Sequence, residues 1–125
     1  PIMQDWSNKI QSVEFSAKDY RDVSGAADDL MYLDPPYQYT RAKRKNDRGE
    51  FYYGNMDFEG FWGWLRSQEC GYLLSLNGFK DEDDRTIDVP DDLYDEHLLI
   101  DNGLNMYDQM LNNRVVARDS LYIRV

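Results

Sequence analysis

The sequence predicts a single α/β domain, because short apolar runs typical of buried strands alternate with one strongly helical segment and lead into a β-rich end. The clearest strand signals are Leu30–Leu33 and residues 72–76. Between them, Phe58, Phe61, Trp62 and Leu65 recur at helical spacing. A chain of 125 residues is long enough for one modest core and too short for two domains.

The first elements are short. Residues 12–17 alternate apolar and polar side chains, which predicts a half-buried strand. Residues 19–23 predict a helical turn, and Gly25 is expected to stop it. Leu30–Leu33 then predicts a buried strand, and residues 37–56, which are polar, basic and aromatic without a period, favour a long loop.

The helical segment is the strongest single prediction. Asp57 is placed as its N-cap, and the four large apolar residues that follow define one buried face. Gly60 and Gly63 are expected to be close-packing points, and Gly71 is expected to end the helix. Cys70, the only cysteine, falls near that end and is predicted to be a buried, inert thiol.

The second half of the chain predicts a closing set of strands. The strand at residues 72–76 is expected to turn at Asn77 and Gly78. Further strands are expected at residues 97–100, 114–117 and 120–125, with turns at residues 102–103 and 112–113.

Charge is distributed unevenly along the chain. Lys and Arg number 14 against 24 Asp and Glu, which gives a formal net charge of −10. The basic segment, residues 41–48, nevertheless holds five basic residues and one acid. An acidic protein is on average repelled by DNA, but this segment provides one local exception. The aromatic content of 14% is too high for a disordered acidic tail.

Several classes of function are excluded or disfavoured. No apolar run is long enough to cross a bilayer and no signal pattern is present, so we expect a soluble, cytoplasmic protein without membrane partners. The single histidine, His97, lies in a predicted strand and has no nucleophile motif beside it. No Cys/His cluster is available for zinc, so no metal ligands are assigned.

Nine acids crowd into residues 81–96, here called the acidic segment. An EF-hand loop counted from Asp81 would need glycine at its sixth position and glutamate at its twelfth. Thr86 and Asp92 stand there instead, which disfavours calcium and favours a solvated loop.

Asp34, Pro35, Pro36 and Tyr37, the Asp34 motif, form the one constellation with a chemistry attached. In open α/β sheets, ligands bind beyond the carboxyl ends of strands. The Asp34 carboxylate and the Pro35 carbonyl can both accept hydrogen bonds from an exocyclic amino group, and the tyrosine ring can stack on a planar base. The four residues alone are also compatible with an ordinary turn that ends a strand.

The context of this motif resembles a known family. Residues 28–37 (DDLMYLDPPY) are similar to motif IV of Dam-like adenine-N6 DNA methyltransferases, which are amino-directed and depend on S-adenosylmethionine. Lys18, Asp19 and Tyr20 are similar to the acidic-aromatic pair after the family's third strand, and residues 72–77 and 119–123 resemble later strands. The likeness runs from about residue 12 onward and keeps the family's order.

The resemblance implies a partial Rossmann-like methyltransferase fold, with strands from about the third onward and the last strand antiparallel. It implies that Asp34 meets the target amino group and the cofactor's methionine end, with Asp19 and Tyr20 near the cofactor's adenosine. The target adenine would be flipped out of duplex DNA onto Tyr37, with Asp34, Pro35, Pro36 and Tyr37 as the catalytic residues. The basic residues next to the motif would then hold DNA phosphates, and they are Arg41, Lys43, Arg44, Lys45 and Arg48. The alternative for these five is a solvated loop.

The sequence departs from the family in what it lacks. The glycine-rich FxGxG cofactor loop and a target-recognition domain have no counterpart in the 125 residues. We therefore expect residues 1–125 to form one partial catalytic domain that associates with a second polypeptide carrying the FxGxG half, or with itself. The open alternatives are a non-catalytic remnant or interaction module of the fold, and an amino-directed methyltransferase that acts on cytosine N4 or RNA.

Overall fold

The computed structural model describes residues 1–36, 56–103, 110 and 116–125. Two α-helices, five strands and three short 3₁₀ turns lie in this part of the chain. The helices are α1 (Ile2–Lys9) and α2 (Phe58–Arg66), and the 3₁₀ turns are Ile10–Ser12, Tyr20–Asp22 and Asp91–Leu93. The strands are β1 (Leu30–Leu33), β2 (Gly71–Lys80), β3 (Asp83–Asp84), β4 (Glu96–Gly103) and β5 (Ala117–Arg124).

The strands form one mixed sheet in the order β1-β2-β5-β4, with β3 paired to the end of β2. β1 and β2 are parallel, with Met31 opposite Tyr72 and Leu33 opposite Leu74. β5 is antiparallel to both of its neighbours, β2 and β4. The predicted α/β class is therefore confirmed, and the last strand runs antiparallel as expected.

β1 has the predicted bounds, but the prediction that it is buried is wrong. Leu30 and Tyr32 are 60% and 65% exposed, whereas Met31 and Leu33 pack against the core. β1 is an edge strand of the sheet, and only one of its faces is covered by described residues. Its alternate side chains therefore differ in burial, since neighbouring residues of a strand point to opposite faces.

α2 and its cap are confirmed. The Asp57 side chain accepts a hydrogen bond from the Gly60 backbone N–H at 3.1 Å, and Phe61, Trp62 and Leu65 are buried. The expected role of Gly63 is wrong, because an added Cβ there would meet nothing within 4 Å. The atoms nearest to a Cβ added at Gly60 belong to the Asp57 carboxylate of its own cap, with Oδ2 at 2.5 Å.

The end of α2 and the core differ from the prediction in one respect. The helix ends at Arg66, and Gly71 is the first residue of β2 rather than the helix stop. Cys70 is a free, buried thiol in the connection between them, as expected. The core lies between α2, the sheet and the acidic segment, and its buried members from the strands and that segment are Tyr72, Leu74, Leu76, Val89, Leu93 and Tyr122.

The turn predicted at Asn77 and Gly78 is wrong. β2 runs through both residues to Lys80, and its register with β5 shifts between Leu76 and Phe79, as at a β-bulge. A Cβ on Gly78 would lie 2.0 Å from the Arg118 carbonyl oxygen. The glycine therefore permits a close approach of two backbones instead of a reversal of the chain.

The strand predicted for residues 12–17 is also wrong. Residues 10–12 form a 3₁₀ turn and residues 13–17 have no regular structure. No described strand lies beside them, and Phe15 is 77% exposed, so the alternating pattern has no ladder to join. Helix α1, which precedes them, has no counterpart among the predicted elements and buries no residue.

The strands of the second half are confirmed in part. The prediction for residues 97–100 falls within β4, while residues 117–124 form one strand where two were expected. Asn102 and Gly103 end β4 at a register shift, with Gly103 at a φ of 66°, instead of forming a turn. Residues 112–113 and most of the predicted loop at residues 37–56 lie outside the described residues.

The acidic segment contains β3 and the turn Asp91–Leu93. Within the described ranges, no group of three His, Cys, Asp or Glu side chains could hold a metal ion. Neither described helix is long and apolar enough to cross a membrane.

Candidate functional site

A pocket of about 440 Å³ opens at the carboxyl end of β1. Three parts of the chain form it: the residues just before and in the turn Tyr20–Asp22, the end of β1, and the start of α2. Its lining residues are Lys18, Asp19, Tyr20, Tyr32, Leu33, Asp34, Pro35, Pro36, Met56 and Phe61. The structure thus brings the predicted cofactor residues Asp19 and Tyr20 to the same pocket as Asp34, Pro35 and Pro36.

The Asp34 motif follows β1 directly. Leu33 is the last residue paired with β2, and the imino nitrogens of Pro35 and Pro36 have no hydrogen to extend the ladder. Asp34 and Pro36 are exposed and Pro35 is half-buried. Within the described part of the chain, no hydrogen bond or ion pair engages the Asp34 carboxylate, so its oxygens can accept hydrogen bonds from a ligand. Tyr37 lies outside the described residues.

The second carboxylate of the pocket, Asp19, is held by its neighbour. Its Oδ1 accepts hydrogen bonds from the Arg21 backbone N–H at 3.0 Å and from Arg21 Nε at 2.8 Å, while Oδ2 accepts from Arg21 Nη2 at 2.8 Å. The side-chain hydrogen bonds from Arg21 keep the pKa of Asp19 well below its usual range. The backbone contact also caps the turn Tyr20–Asp22, which confirms the turn predicted for residues 19–23.

Tyr20 joins this turn to α2. Its ring meets Phe61 edge-on at 5.4 Å between centroids and Trp64 edge-on at 5.2 Å, and the Arg21 guanidinium lies 5.8 Å from its centroid. Edge-to-face aromatic pairs of this kind stabilise a fixed ring orientation. Tyr20 therefore presents a positioned, half-buried ring to the pocket.

The loop that follows is tied to α2 and to the connection after it. Trp64 Nε1 donates to the Val23 carbonyl at 3.0 Å, and the Gly25 N–H donates to Gln68 Oε1 at 3.0 Å. Gly25 was expected to stop the turn, which already ends at Asp22. An added Cβ on Gly25 would lie 2.3 Å from Cys70 Sγ, so the glycine permits close packing of the loop.

Some lining residues were missed by the sequence analysis or given a different role. Phe61 was assigned to the core alone, although it also lines the pocket. Met56 and Tyr32 carry no sequence signal for a site, because their place depends on how α2 and β1 pack. Lys18 is the only cation among the described lining residues, and it stands beside the predicted Asp19.

The other predicted residues are not part of the described pocket. Arg41, Lys43, Arg44, Lys45 and Arg48 lie outside the described residues, so their predicted contact with phosphates stays a prediction. His97 was not expected to be catalytic. Its ring stacks on the Tyr122 ring with 4.2 Å between centroids, and its Nε2 lies 2.9 Å from Ser120 Oγ. Burial lowers the pKa of His97, and the residue does not line the pocket.

The arrangement offers a ligand one engaged carboxylate, one open carboxylate, a backbone carbonyl between two prolines, and aromatic walls. The volume lies within the range of about 300–1,000 Å³ typical of small-molecule sites. Such a pocket suits a ligand with a planar aromatic part and amino groups that donate hydrogen bonds.

Comparison with known proteins supports the resemblance for the first part of the chain. No protein of curated function and no solved structure matches the chain. One family model does match, over residues 2–59, slightly less than half of the sequence. The matched range contains the Asp34 motif and the turn Tyr20–Asp22, whereas residues 72–77 and 119–123 fall beyond it. Over residues 2–59 the chain is similar to the D12 class of N6 adenine-specific DNA methyltransferases, which confirms the predicted likeness to a Dam-like adenine methyltransferase fragment.

Proposed function

We propose that this chain is the part of an S-adenosylmethionine-dependent DNA methyltransferase that binds the target adenine and transfers a methyl group to its N6. The observation that carries the proposal is the pocket itself. Asp19 and Tyr20 share it with Asp34 and Pro35, although the two pairs are about fifteen residues apart in sequence. The family match over the same residues gives the reaction class.

On the target side, the open Asp34 carboxylate accepts one hydrogen bond from the exocyclic amino group of a flipped adenine, and the Pro35 carbonyl accepts another. The two prolines fix the backbone so that both acceptors face the same point. Tyr37 supplies the ring on which the base stacks. These contacts orient the N6 lone pair, so the main contribution of the residues is positioning.

On the cofactor side, Asp19 and Tyr20 bind the adenosine part. Three hydrogen bonds from Arg21 leave the Asp19 carboxylate oriented, with about one of its four acceptor positions available. S-adenosylmethionine, when bound, supplies a methyl group already activated by a sulfonium centre. Asp34 would also lie near the methionine end of the bound cofactor, where its carboxylate would attract the positive charge there.

The fold proposed for the complete domain is a Rossmann-like methyltransferase sheet, of which residues 1–125 form one part. Two observations support this: β1 and β2 are parallel, and the last strand is antiparallel to both of its neighbours. The outer edge of β1 pairs with no described strand, so it can accept the strands of a polypeptide that carries the FxGxG loop.

DNA is the proposed macromolecular partner, and the cytoplasm is the proposed compartment. Arg41, Lys43, Arg44, Lys45 and Arg48 follow the Asp34 motif in sequence and are proposed to bind phosphates around the flipped base.

The proposal is tested by methyl transfer from labelled S-adenosylmethionine to duplex DNA, with this chain combined with the polypeptide that supplies the FxGxG loop. Asp34→Ala removes one acceptor of the amino group and should lower the rate by about 10²-fold or more. Asp28→Ala is the matched control. It removes an exposed carboxylate from the same segment, but Asp28 does not line the pocket.

Analysis of the methylated nucleosides separates the alternatives. N6-methyladenine is expected, while N4-methylcytosine or methylated RNA would assign the chain to a different amino-directed methyltransferase. Equal methylation by the wild type and Asp34→Ala would remove the catalytic assignment and favour a non-catalytic module of the fold.

A further inference from the structure

The outer edge of β4 is the longest strand edge that no other described strand covers. β4 pairs with β5 along Glu96–Gly103, and it ends the order of the sheet. Leu98, Leu99 and Ile100 in its middle are 43%, 41% and 41% exposed. An exposed apolar edge strand is a template for pairing with a further strand.

We propose that β4 pairs with β4 of a second copy of this chain, antiparallel and centred on Leu99, so that two sheets join into one. The occupant is a second copy because the strand is complementary to itself in this register. Leu99 lies opposite Leu99, Leu98 lies opposite Ile100, and His97 lies opposite Asp101. An imidazole therefore faces a carboxylate on each side of an apolar centre, and opposing side chains of these kinds stabilise antiparallel pairs.

Neighbouring registers lack this match. With the centre moved to Leu98, Asp95 falls opposite Asp101, and two like charges directly opposite each other are destabilising. With the centre moved the other way, to Ile100, the apolar Leu99 falls opposite Asp101. The register centred on Leu99 is favoured because it alone pairs apolar with apolar and imidazole with acid.

β1, at the other edge of the sheet, is not complementary to a second copy of itself in this way. β1 has four residues and is followed by two prolines, which limits the ladder. Self-pairing centred on Met31 would place Asp28 opposite Asp34. Acids flanking an edge strand oppose its association with a copy of itself, so β4 is the edge at which the chain dimerises.

The first test is the mass of the chain in solution, measured by light scattering and sedimentation over a concentration series. The wild type should reach twice its mass of 14.8 kDa as concentration rises. Leu99→Asp sets two carboxylates against each other at the centre and should weaken the dimer by about 100-fold or more. Leu30→Asp makes the same change on the exposed face of β1 and should leave the dimer intact, with circular dichroism confirming that both variants fold.

The second test reads the register. Opposing α-carbons in an antiparallel pair are about 4.5–5.5 Å apart, which permits a disulfide, whereas diagonal neighbours are about 7–8 Å apart. Leu99→Cys should therefore form a covalent dimer under mild oxidation, and Leu98→Cys should not. Both variants keep the buried Cys70, so this thiol cannot account for a difference in cross-linking between them.

The inference is independent of the proposed function and can fail separately from it. A wild type that stays monomeric at every concentration would overturn it, as would a dimer that survives Leu99→Asp or is lost with Leu30→Asp. Equal cross-linking of the two cysteine variants would overturn the register.

Discussion

Gly25 is the position at which the packing of the pocket can be tested most sharply. It lies in the loop that follows Asp19 and Tyr20, and its backbone approaches the buried thiol of Cys70. A Cβ added at Gly25 would lie 2.3 Å from Cys70 Sγ, 3.0 Å from Cys70 Cβ and 2.9 Å from Met31 Cε. Favourable contacts between such atoms lie at about 3.5–4.0 Å, so the sulfur must move by more than about 1 Å.

The expected cost of Gly25→Ala follows from where these atoms lie. Cys70 is 4% exposed and cannot move into solvent, whereas Met31 Cε is the end of a flexible side chain. Overpacking of this kind typically costs about 1–3 kcal/mol, a large fraction of a stability of about 5–15 kcal/mol. Cys70→Ala alone removes one buried atom and should cost about 1 kcal/mol.

The double variant isolates the contact. Once Sγ is removed, the remaining two of these contacts are the one to Cys70 Cβ at 3.0 Å and the one to the mobile Met31 Cε, so Gly25→Ala should then cost less than about 1 kcal/mol. The coupling between the two substitutions is expected to be about 1–2 kcal/mol. Urea unfolding followed by tryptophan fluorescence gives all four free energies of unfolding. Costs that add to within about 0.5 kcal/mol would show that the thiol is not what Gly25 approaches.

Two further predictions concern other parts of the sheet and helix. Gly63→Ala should stabilise the chain by about 0.5–1 kcal/mol, because the position is helical and an added Cβ meets nothing. Gly78→Ala should lower the urea midpoint of unfolding sharply, because its Cβ would collide with the Arg118 carbonyl. Urea unfolding of both variants and the wild type measures the two effects. Burial lowers the pKa of His97, so the folded chain binds fewer protons than the unfolded chain, and stability should fall as pH drops through about 6.5. Replacing His97 with Phe should flatten that slope in urea midpoints measured between pH 7.5 and 5.5 on the monomer, and an unchanged slope would assign the effect to other groups.

The features that could be predicted from sequence are those set by neighbouring residues. Asp57 caps α2 because its side chain reaches the N–H of Gly60, three residues on, which depends only on local spacing. Asp19 begins the turn Tyr20–Asp22 for a similar reason. β1 ends where predicted because Pro35 and Pro36 cannot continue a ladder, whatever lies beside the strand.

The features that could not be predicted depend on distant partners. The alternating residues 12–17 form no strand because no described strand lies beside them, a fact outside their own sequence. The pair of Asn77 and Gly78 predicts a turn, but Gly78 instead permits the close approach of the Arg118 carbonyl, forty residues away in sequence. In the pocket, Asp19 and Asp34 were both identified, yet only the structure shows that Arg21 engages the first, whereas no described residue engages the second.

The net charge of −10 is a poor guide to the proposed DNA surface because some of the acids lie far from the pocket or are paired. β1 ends opposite Leu74, and β2 continues for six further residues before the acidic segment begins at Asp81. At about 3.3 Å per residue this places Asp81, the first acid of the segment, about 20 Å from the end of β1, or about two Debye lengths at 0.1 M salt. Farther along the acidic segment, Asp92 is paired with Arg66 at 2.7 Å. Screening and pairing therefore weaken the repulsion that Asp81 and Asp92 exert on a phosphate bound beside Asp34, so the charge near the pocket decides whether DNA can approach.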